Sequence, residues 1–200
     1  MNNRKLIRIL GLCVLAALTV TGVVLAQAVQ IKGKVTLKQA DGSALPASGN
    51  IDANHVVTIN GTSAISGATV FSDSTVTTAK GSSAVVSLGK LGRVEVFPDT
   101  TMKLSFTDSS IMVSMLEAGR VRVSSSSGIS AKATTNDGEV VATGAKMNEF
   151  MVDTSCGNTL VSVKKGSVEL RAGSTVKQIA AGGQDTAGTA RPGCTPGGRN

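Results

Sequence analysis

Between Val70 and Ile179 apolar and polar residues alternate in short runs, each closed by glycine or a turn dipeptide. In Val94-Glu95-Val96, Met102-Lys103-Leu104-Ser105-Phe106, Val121-Arg122-Val123, Val161-Ser162-Val163 and Val168-Glu169-Leu170, every second side chain is apolar. That period of two places one face of a strand on a core and the other in water. Strands are predicted at 69–71, 75–78, 84–88, 93–97, 101–106, 111–116, 120–124, 129–134, 139–142, 149–152, 159–164, 167–171 and 175–179. Turns are predicted between them, as at Lys80-Gly81, Asn136-Asp137-Gly138, Lys165-Gly166 and Gly173-Ser174. No stretch here sustains a 3.6-residue period, so no long helix is expected. Many short, closely spaced strands predict an all-β fold: a sandwich, a roll or a short β-solenoid. The lack of a repeat of fixed length weighs against the solenoid and leaves it open.

The flanks carry weaker patterns. Val56-Val57-Thr58-Ile59 runs into Asn60-Gly61, the dipeptide that suits a type I′ hairpin turn because both central residues need positive φ. Residues 31–37 alternate briefly before Asp41-Gly42, and residues 44–54 have no period, so 29–60 reads as a short hairpin and linker. The β-domain then covers 61–184, and the Gly-, Pro- and Thr-rich residues 185–200 read as a flexible tail.

At the N-terminus Arg4, Lys5 and Arg8 precede an uncharged run from Ile9 to Ala28 that ends in Ala26-Gln27-Ala28. A basic start, an apolar stretch and a small-x-small triplet make residues 1–28 a secretory signal peptide. The run is also long enough to span a bilayer as one hydrophobic helix, which makes a membrane anchor through residues 9–28 the alternative. Either way the basic residues stay on the cytoplasmic side, and residues 29–200 are expected outside the cytoplasm: periplasmic, secreted or held at the inner membrane. Cys13 lies behind Leu12 within the apolar run, which argues against a lipoprotein.

Composition changes this picture in three ways. Four Phe and no Trp or Tyr describe a core of small side chains, with Phe71, Phe97, Phe106 and Phe150 expected inside it. The missing large aromatics also argue against sugar-stacking platforms and against nucleic-acid partners that rely on base stacking. The formal charge of +7 falls to +4 without the three leader cations, so much of the basicity belongs to the leader. Beyond the leader the cysteines are Cys156 and Cys194, which in an oxidising compartment favour a disulfide, with two free thiols as the alternative.

Candidate chemistry is sparse. His55 is the single histidine, so multi-histidine metal sites are excluded. Asp52 stands near enough to orient it, yet no G-x-S-x-G elbow supplies a nucleophile. Catalysis is not expected, nor is a metal or cofactor, and His55 reads as a turn or surface residue. Arg120 and Arg122 are two apart and share a strand face, which makes them candidate anion contacts. Lys164-Lys165 sits in a similar strand-end context. Glu95, Glu117 and Glu169 are interspersed and favour an ordinary solvated face. Asn60-Gly61-Thr62 fits a glycosylation sequon, although the turn already accounts for Asn-Gly.

From about Val70 to Gln184 the chain resembles the FecR family of periplasmic domains. The likeness rests on Val76-Thr77-Thr78-Ala79-Lys80-Gly81-Ser82-Ser83-Ala84, on Leu91 through Thr100, on Leu116-Glu117-Ala118-Gly119-Arg120-Val121, on Gly166-Ser167-Val168-Glu169 and on Ala181-Gly182-Gly183-Gln184. Each fragment is short, and their order carries the resemblance. The chain departs from the family pattern where Val141-Ala142-Thr143-Gly144 is separated from Phe150-Met151-Val152 by a longer insert. Signalling members also place an anti-sigma segment before their membrane helix, whereas eight residues precede the apolar run here.

These readings predict a non-enzymatic module of the bacterial cell envelope that binds, senses or scaffolds, without a cytoplasmic anti-sigma segment. Another envelope protein is the expected partner. A self-associating structural surface protein is the alternative, and an envelope hydrolase a more distant one.

Overall fold

A computed structural model describes residues 32–43 and 56–194. The leader, with its expected hydrophobic helix, lies outside the described residues, as do His55 and Asp52. The described chain is all-β. Its strands are β1 (Gly33–Gln39), β2 (Val57–Ile59), β3 (Thr62–Ser63), β4 (Thr69–Val70), β5 (Ser74–Thr78), β6 (Ser82–Ser87), β7 (Gly92–Val96), β8 (Thr100–Phe106) and β9 (Ser110–Met115). They continue with β10 (Arg120–Ser125), β11 (Ser130–Thr134), β12 (Glu139–Ala142), β13 (Asn148–Asp153), β14 (Thr159–Lys165), β15 (Ser167–Ala172), β16 (Thr175–Ala180) and β17 (Gln184–Ala187). A 3-10 turn at Gly89–Leu91 joins β6 to β7.

Two sheets hold all of these strands. The first runs β17-β14-β13-β10-β7-β6-β1-β4 and the second β16-β15-β12-β11-β9-β8-β5-β2-β3. Both end in edge strands, so neither closes into a barrel. Apart from the N-terminal strands, spatial order follows chain order: the chain lays a hairpin on one sheet, crosses, and lays the next on the other. β10 is the exception, because it crosses alone and returns at once. Two reversals leave β11 running with β9, which is the parallel pair among the otherwise antiparallel strands of the described residues.

Alternation explains why the layers stay together. In β8 the pattern buries Thr100, Met102, Leu104 and Phe106, and in β10 it buries Val121, Val123 and Ser125. Inner faces of both sheets merge into one apolar cluster, rich in valine, that extends from Val35 to Ala187. Short β-branched side chains suit a pleated surface and bring the layers together without large rings.

Two glycines permit backbone approaches that no other residue could make, one of them at a crossing. β14 passes to β15 through Gly166 alone, at φ +76°, where a Cβ would overlap Asn148 Oδ1. Asn148 in turn accepts from the Ser167 N–H and donates to the carbonyls of Thr143 and Lys146, which fixes the neighbouring crossing. Gly92, at φ +135°, brings the start of β7 onto the Ser124 carbonyl so closely that no Cβ fits. Residues 143–147 carry the chain from β12 in the second sheet to β13 in the first.

Several expectations change. β1 is a full member of the first sheet, paired with β6 over Lys34–Gln39 and with β4, rather than part of a separate hairpin and linker. Residues 184–187 form β17 against β14, so the first residues assigned to a flexible tail are sheet. Phe71 is 46% exposed, because β4 ends at Val70 and the ring turns outward beneath the Lys32 ammonium at 5.6 Å. Phe97 lies half-buried on the outer surface, while Phe106 and Phe150 are in the core. Asn60-Gly61 does form the β2–β3 turn, both residues at positive φ.

Cys156 and Cys194 face each other with Cα atoms 5.6 Å apart and their sulfurs at bonding distance. Together with Arg191, whose N–H donates to the Cys156 carbonyl, they hold the segment after β17 to the β13–β14 loop. Their separation of 38 residues corresponds to about 4 kcal/mol of denatured-chain entropy in the loop-closure account.

Phe150 is 1% exposed at the centre of the shared core. Replacing it with alanine is expected to cost about 3–5 kcal/mol in urea unfolding. The same change at Phe71 should stay within about 0.5 kcal/mol. Equal losses at the two sites would contradict this assignment of inside and outside.

Candidate functional site

The outer face of the first sheet carries Arg120, Arg122 and Glu95, whereas Glu169 lies on β15 of the second sheet and Glu117 in the turn before β10. Because Arg120 and Arg122 are two apart on β10, both point outward, and antiparallel pairing places Asp153 of β13 opposite Arg120 and Glu95 of β7 opposite Arg122. Each guanidinium meets the carboxylate across from it. Arg120 Nε donates to Asp153 Oδ2 at 3.0 Å, and Arg122 donates to Glu95 Oε2. Between the two arginines the Phe97 ring receives both, with centroid distances of 5.6 Å and 5.2 Å.

The two ion pairs differ in weight. Asp153 has a fully buried side chain, and its Oδ1 accepts from the Ser155 N–H and hydroxyl, so Arg120 neutralises a carboxylate that water does not reach. Removing one partner of such a pair strands a charge, at about 3–5 kcal/mol. The Arg122–Glu95 pair is more exposed and worth about 0–1 kcal/mol. The face is thus a charge-balanced clamp around Phe97, and an external anion at Arg120 or Arg122 must compete with carboxylates already bound.

A second arrangement lies at the C-terminal end of the two sheets. β16 forms the edge of the second sheet, and among the described residues no strand pairs with its outer side. Val176 on this strand is 59% exposed. Lys177 crosses from β16 to the other sheet, where its Nζ donates to Asp185 Oδ1 at 2.7 Å and to the Thr186 carbonyl at 3.3 Å. This contact ties β16 to β17 and neutralises the one charge on the edge strand.

A third feature, which alternation alone does not indicate, is a groove on the first sheet lined by Arg93, Ser124, Ser125, Glu149 and Lys165 among others. Of these, Lys165 was marked in the sequence as a strand-end cation. Register brings the others to it. Among the described residues no group of three or more His, Cys, Asp or Glu is placed to hold a metal ion. No helix of the described residues is long and apolar enough to cross a membrane. No known family model matches the chain, and no curated protein matches its sequence.

Lys177, and after it the Thr186 N–H, hold the Asp185 carboxyl below its ordinary value of 3.8. A lowered folded-state pKa contributes stability that is complete above the ordinary value and is lost as pH falls through the lowered one. The melting-temperature difference between the native chain and Asp185→Asn should therefore be constant above about pH 5 and shrink toward zero in stronger acid. A difference that persists unchanged in strong acid would show that Asp185 acts in another way.

Proposed function

We propose that this chain is a non-enzymatic binding module of the bacterial cell envelope, a progressively wound sandwich related to FecR periplasmic domains, which receives another envelope protein along the edge of β16. The observation that carries the reading is the edge itself. Six residues, Thr175–Ala180, close a nine-stranded sheet with Val176 exposed and Lys177 already neutralised by Asp185. Edge strands offer unpaired backbone donors and acceptors, and a partner segment can add to them as a further strand. The two short edges at the other end, β3 and β4, have two residues each and offer less.

Setting supports the same reading. A basic, apolar leader precedes the domain, and the Cys156–Cys194 pair suits an oxidising compartment outside the cytoplasm. The ordered FecR-like fragments fall on the crossings and hairpins that build both sheets, including 79–81 between β5 and β6 and Gly166 between β14 and β15.

Affinity capture from envelope extracts with the full chain tests this. A specific envelope protein should be retained, and Val176→Lys should reduce its recovery about tenfold, while Leu116→Lys, at another exposed apolar position, should not. Capture unaffected by Val176→Lys would overturn the docking edge. Hydrolysis of envelope polymers by the purified chain would overturn the non-enzymatic reading.

A further inference from the structure

The groove on the first sheet has a chemistry that neither the edge strand nor the arginine clamp explains. It has a volume of about 440 Å³ and is built on one row across five neighbouring strands. Pairing sets Ser87 of β6 beside Arg93 of β7, Arg93 beside Ser124 of β10, Ser124 beside Glu149 of β13, and Glu149 beside Lys165 of β14. Strands lie about 4.8 Å apart, so Arg93 and Lys165 stand about 14 Å apart, with Ser124 and Glu149 between them.

Three observations show that this row is unsatisfied. Among the described residues Arg93 and Lys165 make no ion pair, whereas Arg120, Arg122, Lys164 and Lys177 each meet a carboxylate. The hydroxyl of Ser124, on the outer face of β10 between Arg93 and Glu149, is buried without a hydrogen-bond partner. Buried hydroxyls nearly always have partners, so an orphan in the groove calls for a ligand or bound water. Glu149 is almost buried and accepts from Lys164 through Oε1 at 3.1 Å, which leaves Oε2 as a further acceptor. A register shift of the β-bulge kind between Glu149 and Phe150 brings Lys164 onto this carboxylate, while Lys165 stands across from Glu149 without an ion pair. Bulges commonly re-aim side chains beside binding sites.

The donors and acceptors define what fits. Two cations without ion pairs and one unpaired hydroxyl favour an oxyanion, and the arginine fork matches the oxygens of phosphate or carboxylate. The Glu149 carboxylate between them, with Oε2 open, favours a ligand that carries alcohol hydroxyls beside its charged group. No aromatic side chain lines the groove, so it has no platform for a nucleobase. We propose that this groove binds a small hydroxylated oxyanion, a sugar phosphate or sugar acid, with its charged group at Arg93 and Lys165 and a hydroxyl donating to Glu149. The assignment does not rest on the docking edge, since none of these residues belongs to β16.

Amide chemical shifts of the full chain, titrated with glucose 6-phosphate and with glucuronate, test the proposal and separate phosphate from carboxylate. Inorganic phosphate and glucose serve as comparisons. At least one charged sugar should shift the Ser124, Ser125, Ser126 and Asn148 amides saturably. Arg93→Ala and Lys165→Ala should each weaken that binding about tenfold. Lys103→Ala, on the other sheet, should leave it unchanged. Both groove cations are exposed, and Arg93→Gln and Lys165→Gln, which keep part of the stem, carry the same expectation should either alanine variant melt early. Absence of saturable shifts with both charged sugars would overturn the site, as would unaltered binding by the double variant. Inorganic phosphate or glucose binding as tightly as the charged sugars would overturn the hydroxylated-anion assignment.

Discussion

The fold depends on one contact, the seam between two inner faces made of valine, alanine, leucine and a few larger side chains. A chain with four Phe and neither Trp nor Tyr has little large apolar surface to bury at any one point. It compensates by extent, since alternation along strand after strand contributes small buried residues to a single cluster from Val35 to Ala187. Burial yields about 25 cal/mol per Å² of apolar surface regardless of which side chain supplies it, so many valines can replace a few rings. The consequence is a long, shallow core that no single hairpin could sustain alone.

Advance along both sheets in step follows from that seam. Each hairpin buries one face, and the next must lie opposite it to cover the core, so the chain crosses between the layers repeatedly. The tight crossing at Gly166 lets the backbone change layer without opening the seam, and the close approach at Gly92 packs β7 onto β10 within the first sheet. Polar residues left outside then come to lie in rows across the strands. Two successive rows form the balanced pairs Arg120–Asp153 and Arg122–Glu95, and the next forms the groove with unpaired Arg93 and Lys165. Charge balance on two rows and its absence on the third distinguish a structural clamp from a site with room for a ligand.

Alternation made the strands legible. Runs such as Met102 to Phe106 and Val121 to Val123 carry their face assignment in their own residues, and Asn60-Gly61 carries its turn. Where the reading went astray, long-range pairing overrode local pattern. Gln184-Asp185-Thr186-Ala187 offers one apolar side chain to a core, yet β14 beside it makes it a strand. Residues 33–39 look like half of an isolated hairpin until β6 pairs with them. Phe71 looks like core in an apolar run, but the strand stops one residue earlier. The groove was legible only at Lys165, because a period of two gives the face of a strand and says nothing about which strand stands next to it.

The central claim is that both sheets share one core and unfold together. Native-state hydrogen exchange of the full chain tests it most directly, through the opening free energies of core amides in β7, β10 and β13 of the first sheet and in β8, β9 and β11 of the second. A shared seam predicts one common opening free energy across both groups, equal to that of global unfolding. If one sheet opened at a distinctly lower free energy while the other stayed protected, the seam would not be the interaction that holds this structure together.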